Sequence, residues 1–336
     1  MQPSWTRWAR WLIVLSLLAV LWVPVRTAFE AVRHANDFPV HQHHLLLPPR
    51  STPAVNDLPS LLANQPTDAL GVPVHDYGEP LGTQYNPLFI ADFALELTRT
   101  TDQPEVRRRL RASLDHLLNS ATPTPAEALL FPYTFDFPVR NQRAPWYSAM
   151  AQVRVAQAML AGWQRVGDER YLAAARAAAL ALVDPSVSPP LAVPVRNGYW
   201  LKEFPGHPYH VLDGTLVALA GLHRLLGELP ADVPDQDAFE SLFSKSVSGF
   251  AANAGCFTTP FGGVYFSDAA EAPTQGYYDI IATRLAYLAS AVPALSAIDA
   301  RFSLRNRSRG ERVAIIWWQR LQRWRYKHGL LAPCVT

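Results

Sequence analysis

Residues 197–222 read NGYWLKEFPGHPYHVLDGTLVALAGL, and this stretch decides the fold. An aromatic, proline-punctuated loop with several ionisable side chains leads directly into an apolar helix rich in glycine and alanine. Loops that concentrate such residues on a rigid helical scaffold are where binding and chemistry tend to occur. A second junction of this kind lies upstream, where APWYSAMAQ at 144–152 opens the run VRVAQAMLAGWQRVG. The two junctions predict a helical protein whose functional groups lie on loops beside helices.

Helical periodicity extends over most of the remaining chain. NPLFIADFALELTRT and QPEVRRRLRASLDHLLNSA repeat apolar residues at helical spacing and predict an antiparallel pair. The next pair turns at Gly167-Asp168, with Asp168 as the predicted N-cap, while LLFPYTFDFPVR at 129–140 alternates like a short strand or extended loop. Further helices are predicted at 239–250, 277–291 and 311–327. Paired helices with long loops predict an all-α fold, an α/α toroid (incomplete α/α barrel) with a short extended segment.

Composition excludes several classes of function. A net charge of +2 gives no support to nucleic-acid binding. Cys256 and Cys334 have neither metal-ligand spacing nor a disulfide framework, so a bridge and two buried thiols both stay open. His41, His43 and His44 lack acidic or cysteine partners at a helical spacing, so no metal site is predicted. Motifs for nucleotide binding, hydrolase nucleophile elbows and zinc proteases are missing from the sequence.

The N-terminus carries a membrane signal. WLIVLSLLAVLWVPV at 11–25 is uncharged and apolar, and Arg7 and Arg10 precede it. Because VPVRTAFEA is a poor cleavage site, the pattern favours an uncleaved signal anchor with the body outside the cytoplasm, in the periplasm or exterior. A cleaved signal and a buried helix are the alternatives, since about 20 residues are typical of a full span.

These observations divide the chain into four parts. The predicted order is a signal anchor at 1–28, a loop-rich linker at 29–80, the toroid domain at 81–300 and a basic amphipathic helix at 301–336. The arginines of the last part predict a solvated helix face, with contact to anionic lipid or an anionic polymer as the alternative.

Five segments of the chain, in order, resemble the C-terminal domain of the D-glucuronyl C5-epimerases. GTQYNPLFIADFAL and PWYSAMAQ resemble the first two motifs of that family. The stretch from Trp200 resembles its W-x-E-E-Y-P and V-L-N-G motifs, and GGVYFSD and GYYDIIATRLAYL resemble its last two active-site segments. The resemblance spans roughly residues 70 to 300. It implies an α/α toroid that inverts C5 of glucuronate in an anionic polysaccharide, without a cofactor, by tyrosine-mediated proton transfer.

The chain departs from the family at positions that matter for this chemistry. Phe204 replaces the tyrosine of E-E-Y-P and Lys202 replaces its first acid, while Ile280 replaces the tyrosine of W-D-Y-H. An arginine expected shortly after Tyr265 is absent. Since phenylalanine and isoleucine cannot transfer protons, the resemblance implies that neighbouring groups substitute, that another sugar acid is processed, or that the protein binds a polysaccharide without catalysis. A polysaccharide lyase, which shares the first step, is a further alternative.

Candidate residues follow from these motifs. As acids or bases we predict Tyr265, Tyr278, His210 and Tyr209. As substrate contacts we predict Glu203, Lys202, Arg284, Trp146, Tyr147, Tyr277, Asp279 and Tyr85. The predicted partners are a uronate-containing polysaccharide and a membrane, with a homodimer left open.

Overall fold

The computed structural model describes residues 58–63, 65–273, 275–303, 308–332 and 334–335. The anchor predicted at 1–28, most of the predicted linker and its three histidines lie outside these residues. Among the described residues no helix combines the length and the apolar character needed to cross a membrane. The described part is mostly helical, as the sequence predicted.

The helices follow one another with short extended segments between them. The first five are α1 (Leu58–Ala63), α2 (Pro87–Arg99), α3 (Pro104–Ser120), α4 (Ala149–Val166) and α5 (Glu169–Leu180). The next five are α6 (Leu212–Glu228), α7 (Gln236–Asn253), α8 (Gln275–Ala291), α9 (Ser296–Phe302) and α10 (Arg309–Lys327). The helices that the periodicity predicted are all present, with ends shifted by a few residues, whereas α1 and α9 were not predicted.

The helices from α2 to α9 form two layers. In the inner layer α2, α4, α6 and α8 pack side by side in chain order. In the outer layer α3, α5, α7 and α9 each pack against the inner helix that precedes them in the chain. Gly221 permits one of these close contacts, because a Cβ at that position of α6 would come within 2.5 Å of Val153 Cγ1 on α4.

Polar caps fix where two of the inner helices, α2 and α4, begin. The Asn86 side chain accepts hydrogen bonds from Leu88 N and Phe89 N, and Pro87 occupies the first turn. Ser148 caps α4 by accepting from Ala151 N. On the outer layer, the predicted N-cap Asp168 is confirmed, since its side chain accepts from Arg170 N. The caps hold the residues just before α2 and α4 in extended conformations that lead into the loops.

Three short antiparallel hairpins connect the helices. They are β1–β2 (His75–Asp76 with Thr83–Gln84), β3–β4 (Thr122–Pro123 with Leu129–Leu130) and β5–β6 (Ala192–Val195 with Gly198–Leu201). In β5–β6 the register pairs Val193 with Trp200 and Val195 with Gly198. The last hairpin matters most for function, because β6 delivers the chain into the loop at 202–211.

The C-terminal helix α10 is docked on the body rather than solvated on all sides. Gln319 Nε2 donates to Val264 O at 2.7 Å, and Ile315 is buried in the main core. Beyond the helix, Cys334 forms a disulfide bond with Cys256, which settles the alternative that the sequence left open. These contacts define the docked side of the predicted amphipathic helix, and the solvated face of its arginines stays a prediction.

Candidate functional site

A cluster of buried aromatic rings, here called the aromatic cluster, lies where the inner helices begin. It forms a second hydrophobic cluster, separate from the main core. Partly buried rings of Tyr77, Phe137 and Tyr326 pack against it. Its buried aromatic members are Tyr133, Phe135, Trp146, Phe204, Tyr209 and Phe266.

Extended segments hold the rings in place. Tyr133 and Trp146 exchange two backbone hydrogen bonds of 2.8 and 3.2 Å, and their rings stack with centroids 3.8 Å apart. Trp146 Nε1 donates to Phe135 O at 3.0 Å, which satisfies the polar atom of the indole. Trp146, predicted to contact substrate, is thus a fixed wall of the cluster.

A pair of buried carboxyl groups, Glu203 and Asp213, adjoins the cluster. Glu203 lies against the first turn of α6, where only Gly214 leaves room, because a Cβ there would come within 2.3 Å of Glu203 Oε2. Within the described residues, Glu203 Oε2 and Asp213 Oδ1 are buried and have no hydrogen-bond partner. Burial of two acids side by side is unfavourable unless a proton is shared or a ligand compensates.

Burial raises the pKa of both carboxyl groups, so each stays protonated to a higher pH than an exposed carboxyl group does. Burial, and after it the charge of Asp213, raises the pKa of Glu203 well above its ordinary value. Burial also raises the pKa of Asp213 from 3.8 to about 7, although backbone N–H groups of Gly214 and Asp213 oppose the shift. Near neutral pH the two groups therefore hold a proton between them, as a proton-transfer group must.

Two tyrosines lie within electrostatic reach of this pair. Burial raises the pKa of Tyr277, and the charges of Asp213 and Glu203 raise it further. Burial likewise raises the pKa of Tyr133, with smaller contributions from Tyr77 and Glu203. Tyr277 is 41% exposed at the start of α8, and its ring lies 4.7 Å from that of Phe266. It is the predicted site residue that combines solvent access with proximity to the acids.

Arg140 supplies a cation to the aromatic cluster. Its Nη1 donates to Tyr209 Oη at 2.5 Å and to Glu271 Oε2 at 3.2 Å. The guanidinium lies 5.2 to 5.7 Å from the ring centroids of Phe204, Tyr209 and Phe266. Arg323 of α10 also binds Glu271, at 2.9 Å, so the C-terminal helix contributes to the same network. Sequence reasoning missed Arg140.

Three other ionisable residues lie in or near the loop at 202–211 and make hydrogen bonds within the fold. They are Lys202, His210 and Asp268, and we call them the anchored group. Lys202 Nζ donates to the backbone oxygens of His207 and Tyr209, both at 2.7 Å. Burial lowers the pKa of Lys202 to about 8. Asp268 accepts from the backbone N of His210 at 2.7 Å and lies 3.2 Å from its Nδ1. The predicted roles of Lys202 and His210 in substrate handling gain no geometric support from these contacts.

Tyr265 lies apart from the carboxyl pair. Its backbone N donates to Phe257 O at 2.7 Å. Its hydroxyl is buried without a hydrogen-bond partner among the described residues, and burial raises its pKa well above 10. The residue is outside the aromatic cluster. Its predicted role as acid or base stays a prediction.

The remaining predicted residues are dispersed. Tyr278 is buried in the main core, Tyr147 packs against that core, and Asp279 is partly buried on α8. Tyr85 is exposed, donating from its hydroxyl to Asp68 Oδ2 at 2.8 Å. Arg284 lies on α8 among other arginines. The structure therefore brings together Glu203, Trp146, Tyr209 and Tyr277, and leaves these others outside the cluster.

The residues that sequence reasoning missed share one signal. Aromatic residues occupy every second position from Phe131 to Phe137, ahead of Arg140, which marks one face of an extended segment. Three of these rings, at 133, 135 and 137, contact or belong to the aromatic cluster. Asp213 had a signal too, since it stands where the resembled motif V-L-N-G has asparagine.

Helix N-termini and a guanidinium favour negative charge at the site. Helices α2, α4, α6 and α8 all begin beside it. Among the described residues no group of histidine, cysteine or acidic side chains has the arrangement of a metal site. Fold and site together define a mostly helical protein with buried acids, a cation and aromatic walls, a combination suited to sugar acids.

Comparison with known proteins agrees with this class. The family model "D-glucuronyl C5-epimerase C-terminus" matches residues 126–293, half of the chain, and the chain belongs to this family. The matched span includes the aromatic cluster apart from its contacts at Tyr77, Leu88 and Tyr326, and it includes the carboxyl pair.

More distant likenesses were found among solved structures. An unsaturated glucuronyl hydrolase from Bacillus sp. GL1, described as responsible for the degradation of glycosaminoglycan, is 14% identical, with a TM-score of 0.43 over 74% of this chain and 69% of that one. A polysaccharide lyase is 15% identical, with a TM-score of 0.41 over 73% and 74%. A search of curated proteins found no match. At these scores neither structure bears on function.

Proposed function

We propose that the protein removes and returns the C5 proton of a uronic acid within an anionic polysaccharide, as a C5-epimerase without a cofactor. Membership of the epimerase family supports a role on uronates. The observation that carries the proposal is the carboxyl pair Glu203–Asp213, buried beside an aromatic cluster and a guanidinium. A binding protein has no need for two acids that are costly to bury and that each keep one oxygen without a hydrogen-bond partner among the described residues.

The reaction sets chemical requirements that these groups can meet. The C5 proton is α to a carboxylate, so its removal creates an enolate-like intermediate with a second negative charge. Positive groups and hydrogen-bond donors must stabilise that charge, and Arg140 and the N-terminus of α6 are the nearest candidates. Inversion also requires one group that takes the proton and another that returns it from the opposite face.

We assign these two roles within the described residues. The Glu203–Asp213 pair takes the proton, because its raised pKa values leave one carboxylate available near neutral pH while the other holds a proton. Tyr277 returns a proton from its hydroxyl, since it stands on another element and is accessible to solvent. This assignment replaces the family tyrosines that are Phe204 and Ile280 in this chain.

The proposal is tested by hydrogen exchange. The protein without residues 1–28 is incubated in D2O with an unsulfated polymer of alternating glucuronate and N-acetylglucosamine, and NMR follows the C5 proton. We expect deuterium at C5 and new iduronate signals, with Glu203→Gln reducing the exchange rate roughly 10²- to 10⁴-fold. Exchange that is insensitive to Glu203→Gln would refute the assigned roles.

A non-catalytic polysaccharide-binding protein is the second candidate, favoured by a specific observation. Phe204 and Ile280 remove two hydroxyls that the resembled motifs contain, and the remaining Tyr265 lies outside the aromatic cluster. Binding of the polymer without any C5 exchange would establish this function in place of catalysis. Unsaturated sugar signals would instead identify a lyase.

Further parts of the proposal concern fold and location. The two helix layers support an incomplete α/α toroid. We also propose that residues 1–28 anchor the protein in a membrane with its body outside the cytoplasm, and the Cys256–Cys334 disulfide agrees with an oxidising compartment. Protease protection of membrane vesicles tests the location, and sedimentation tests the predicted homodimer.

A further inference from the structure

A group of four arginines lies on the inner helix layer. Its members are Arg99 on α2, Arg154 on α4, Arg224 on α6 and Arg284 on α8. The charged side chains that act most strongly on Arg284 are the other three arginines and Asp92. Burial, followed by Arg154, lowers the pKa of Arg284 from 12.5 to about 10.

Three of these arginines have a neighbour that holds them. Arg154 Nε donates to Asp92 Oδ1 at 2.7 Å, which links α4 to α2. Arg99 Nη1 donates to Glu96 Oε1 at 2.8 Å. The Arg224 guanidinium lies 4.8 Å from the ring centroid of Tyr287 on α8.

Tyr287 is itself fixed in position. Its hydroxyl lies 2.8 Å from His223 Nδ1 on α6, so the ring beneath Arg224 is held by a second contact between the same two helices. Contacts within the fold therefore hold these three arginines in position before any ligand binds. Preplaced donors reduce the conformational entropy that binding would cost.

Arg284 differs from the other three. Within the described residues it makes no ion pair and no hydrogen bond from its side chain. Asp92, the carboxylate that acts on Arg284, is already paired with Arg154, and Glu96 is paired with Arg99. A partly buried cation among like charges is unfavourable unless an anion joins it. A guanidinium presents planar donors that match carboxylate and sulfate oxygens.

We infer that Arg284, flanked by Arg154 and Arg224, is the centre of an anion-binding subsite for a carboxylate or sulfate group of an acidic polysaccharide. The choice of polysaccharide as the ligand rests on the proposed function. The charge of Asp92, which pairs with Arg154, also contributes to the raised pKa of Tyr133 in the aromatic cluster. In this proposal the subsite receives the charged group of a neighbouring sugar unit rather than that of the reacting one.

Binding and stability measurements on one variant test this inference. Isothermal titration compares the wild-type protein with Arg284→Gln, using the unsulfated glucuronate polymer, a sulfated form of the same polymer and neutral dextran. We expect Arg284→Gln to weaken binding of at least one acidic polymer about tenfold or more, and Arg284→Lys to weaken it less. The melting temperature without polymer stays the same or rises in Arg284→Gln, because the change removes an uncompensated charge.

Arg111→Gln is the matched control, since Arg111 is an exposed arginine on the outer helix α3. Its substitution leaves the affinity within about twofold. An equal loss in both variants, or a lower melting temperature in Arg284→Gln, overturns the inference and assigns Arg284 to non-specific charge or to structure. A stronger effect on the sulfated polymer identifies sulfate as the bound group, and an equal effect identifies carboxylate.

The outcome is separable from that of the proposed function. C5 exchange by the wild-type protein together with unchanged binding by Arg284→Gln refutes the subsite and leaves the epimerase proposal standing. Arg284-dependent binding without any C5 exchange supports the subsite and refutes the epimerase proposal.

Discussion

Two sets of buried ionisable groups meet at the loop at 202–211, and the structure treats them in opposite ways. In the anchored group, Lys202, His210 and Asp268, the buried polar atoms have hydrogen-bond partners within the fold. In the carboxyl pair, Glu203 and Asp213 each keep a buried oxygen that has no hydrogen-bond partner in the part of the chain that the structure describes. Adjacent residues in sequence thus divide into one set that stabilises the loop and another whose cost of burial needs a different explanation.

The comparison also separates two meanings of a shifted pKa. Lys202 has a pKa lowered by burial, yet its ammonium is held by two carbonyl oxygens and is available to little else. Asp213 has a pKa raised by burial, and one of its oxygens is free of partners. A perturbed pKa indicates a functional group only where the geometry leaves that group available.

The largest expected effect is a loss of stability in the anchored group. Asp268→Ala leaves the buried N–H of His210 without its acceptor, so the free energy of unfolding should fall by about 3 kcal/mol. Urea denaturation measures the change. Asp136→Ala is the control, because Asp136 is exposed and accepts from Ala144 N. Similar losses in the two variants would show that Asp268 does not anchor the loop.

A smaller effect of opposite sign is expected in the carboxyl pair. The folded-state pKa of Asp213 is about 7 against 3.8 for the free side chain, so wild-type stability falls as pH rises from about 4 to about 7. Asp213→Asn removes that cost and should raise the free energy of unfolding at pH 8 by about 2 kcal/mol, less than the full shift implies because buried sites relax.

Urea denaturation of Asp213→Asn at pH 3, 6 and 8 checks this. The gain should be smallest at pH 3, below both pKa values, where the acid is mostly protonated in the folded and the unfolded protein. A gain that is independent of pH, or a loss at pH 8, would mean that Asp213 is stabilising in its charged form.

The smallest expected effect is a change in the C5 exchange rate on substitution of Phe204. Its ring lies 5.7 Å from the Arg140 guanidinium and 5.8 Å from the ring of Trp146, inside the aromatic cluster. Phe204→Tyr restores the hydroxyl of the resembled motif and should raise the C5 exchange rate roughly tenfold. Phe266→Tyr, which adds a hydroxyl near the same guanidinium, is the control and should give no increase. NMR in D2O measures both, and equal rates for wild type and Phe204→Tyr would contradict the prediction.

The sequence predicted the helices well because their signals are local. Periodic apolar residues, Pro87 at a helix start and Asp168 as an N-cap each act within one or two turns. The resemblance to the epimerases was also carried by short motifs, and the family match confirms it. Glu203 was selected from one such motif and lies in the candidate site.

The sequence could not predict which ionisable residues of the loop have partners within the fold, because those partners lie far along the chain. His210 meets Asp268, which is 58 residues away, and Arg140 meets Tyr209 across 69 residues and Glu271 across 131. An ionisable residue in an aromatic loop has the same local sequence whether its partner is a distant side chain or a ligand. The sequence predicts Lys202 as a substrate contact, and in the structure its ammonium donates to two backbone oxygens of its own loop; the substrate role stays a prediction.

The disulfide between Cys256 and Cys334 has a consequence for the order in which the molecule is completed. The two cysteines are 78 residues apart, and the backbone N of neighbouring Val335 donates to Asp268, the residue that holds His210. Ribosomes deliver the chain from its N-terminus, so the loop at 202–211 is made long before the segment that secures it. The disulfide therefore ties the end of the described chain beside the side chain that holds His210, a link that can form only after the C-terminal segment has been synthesised.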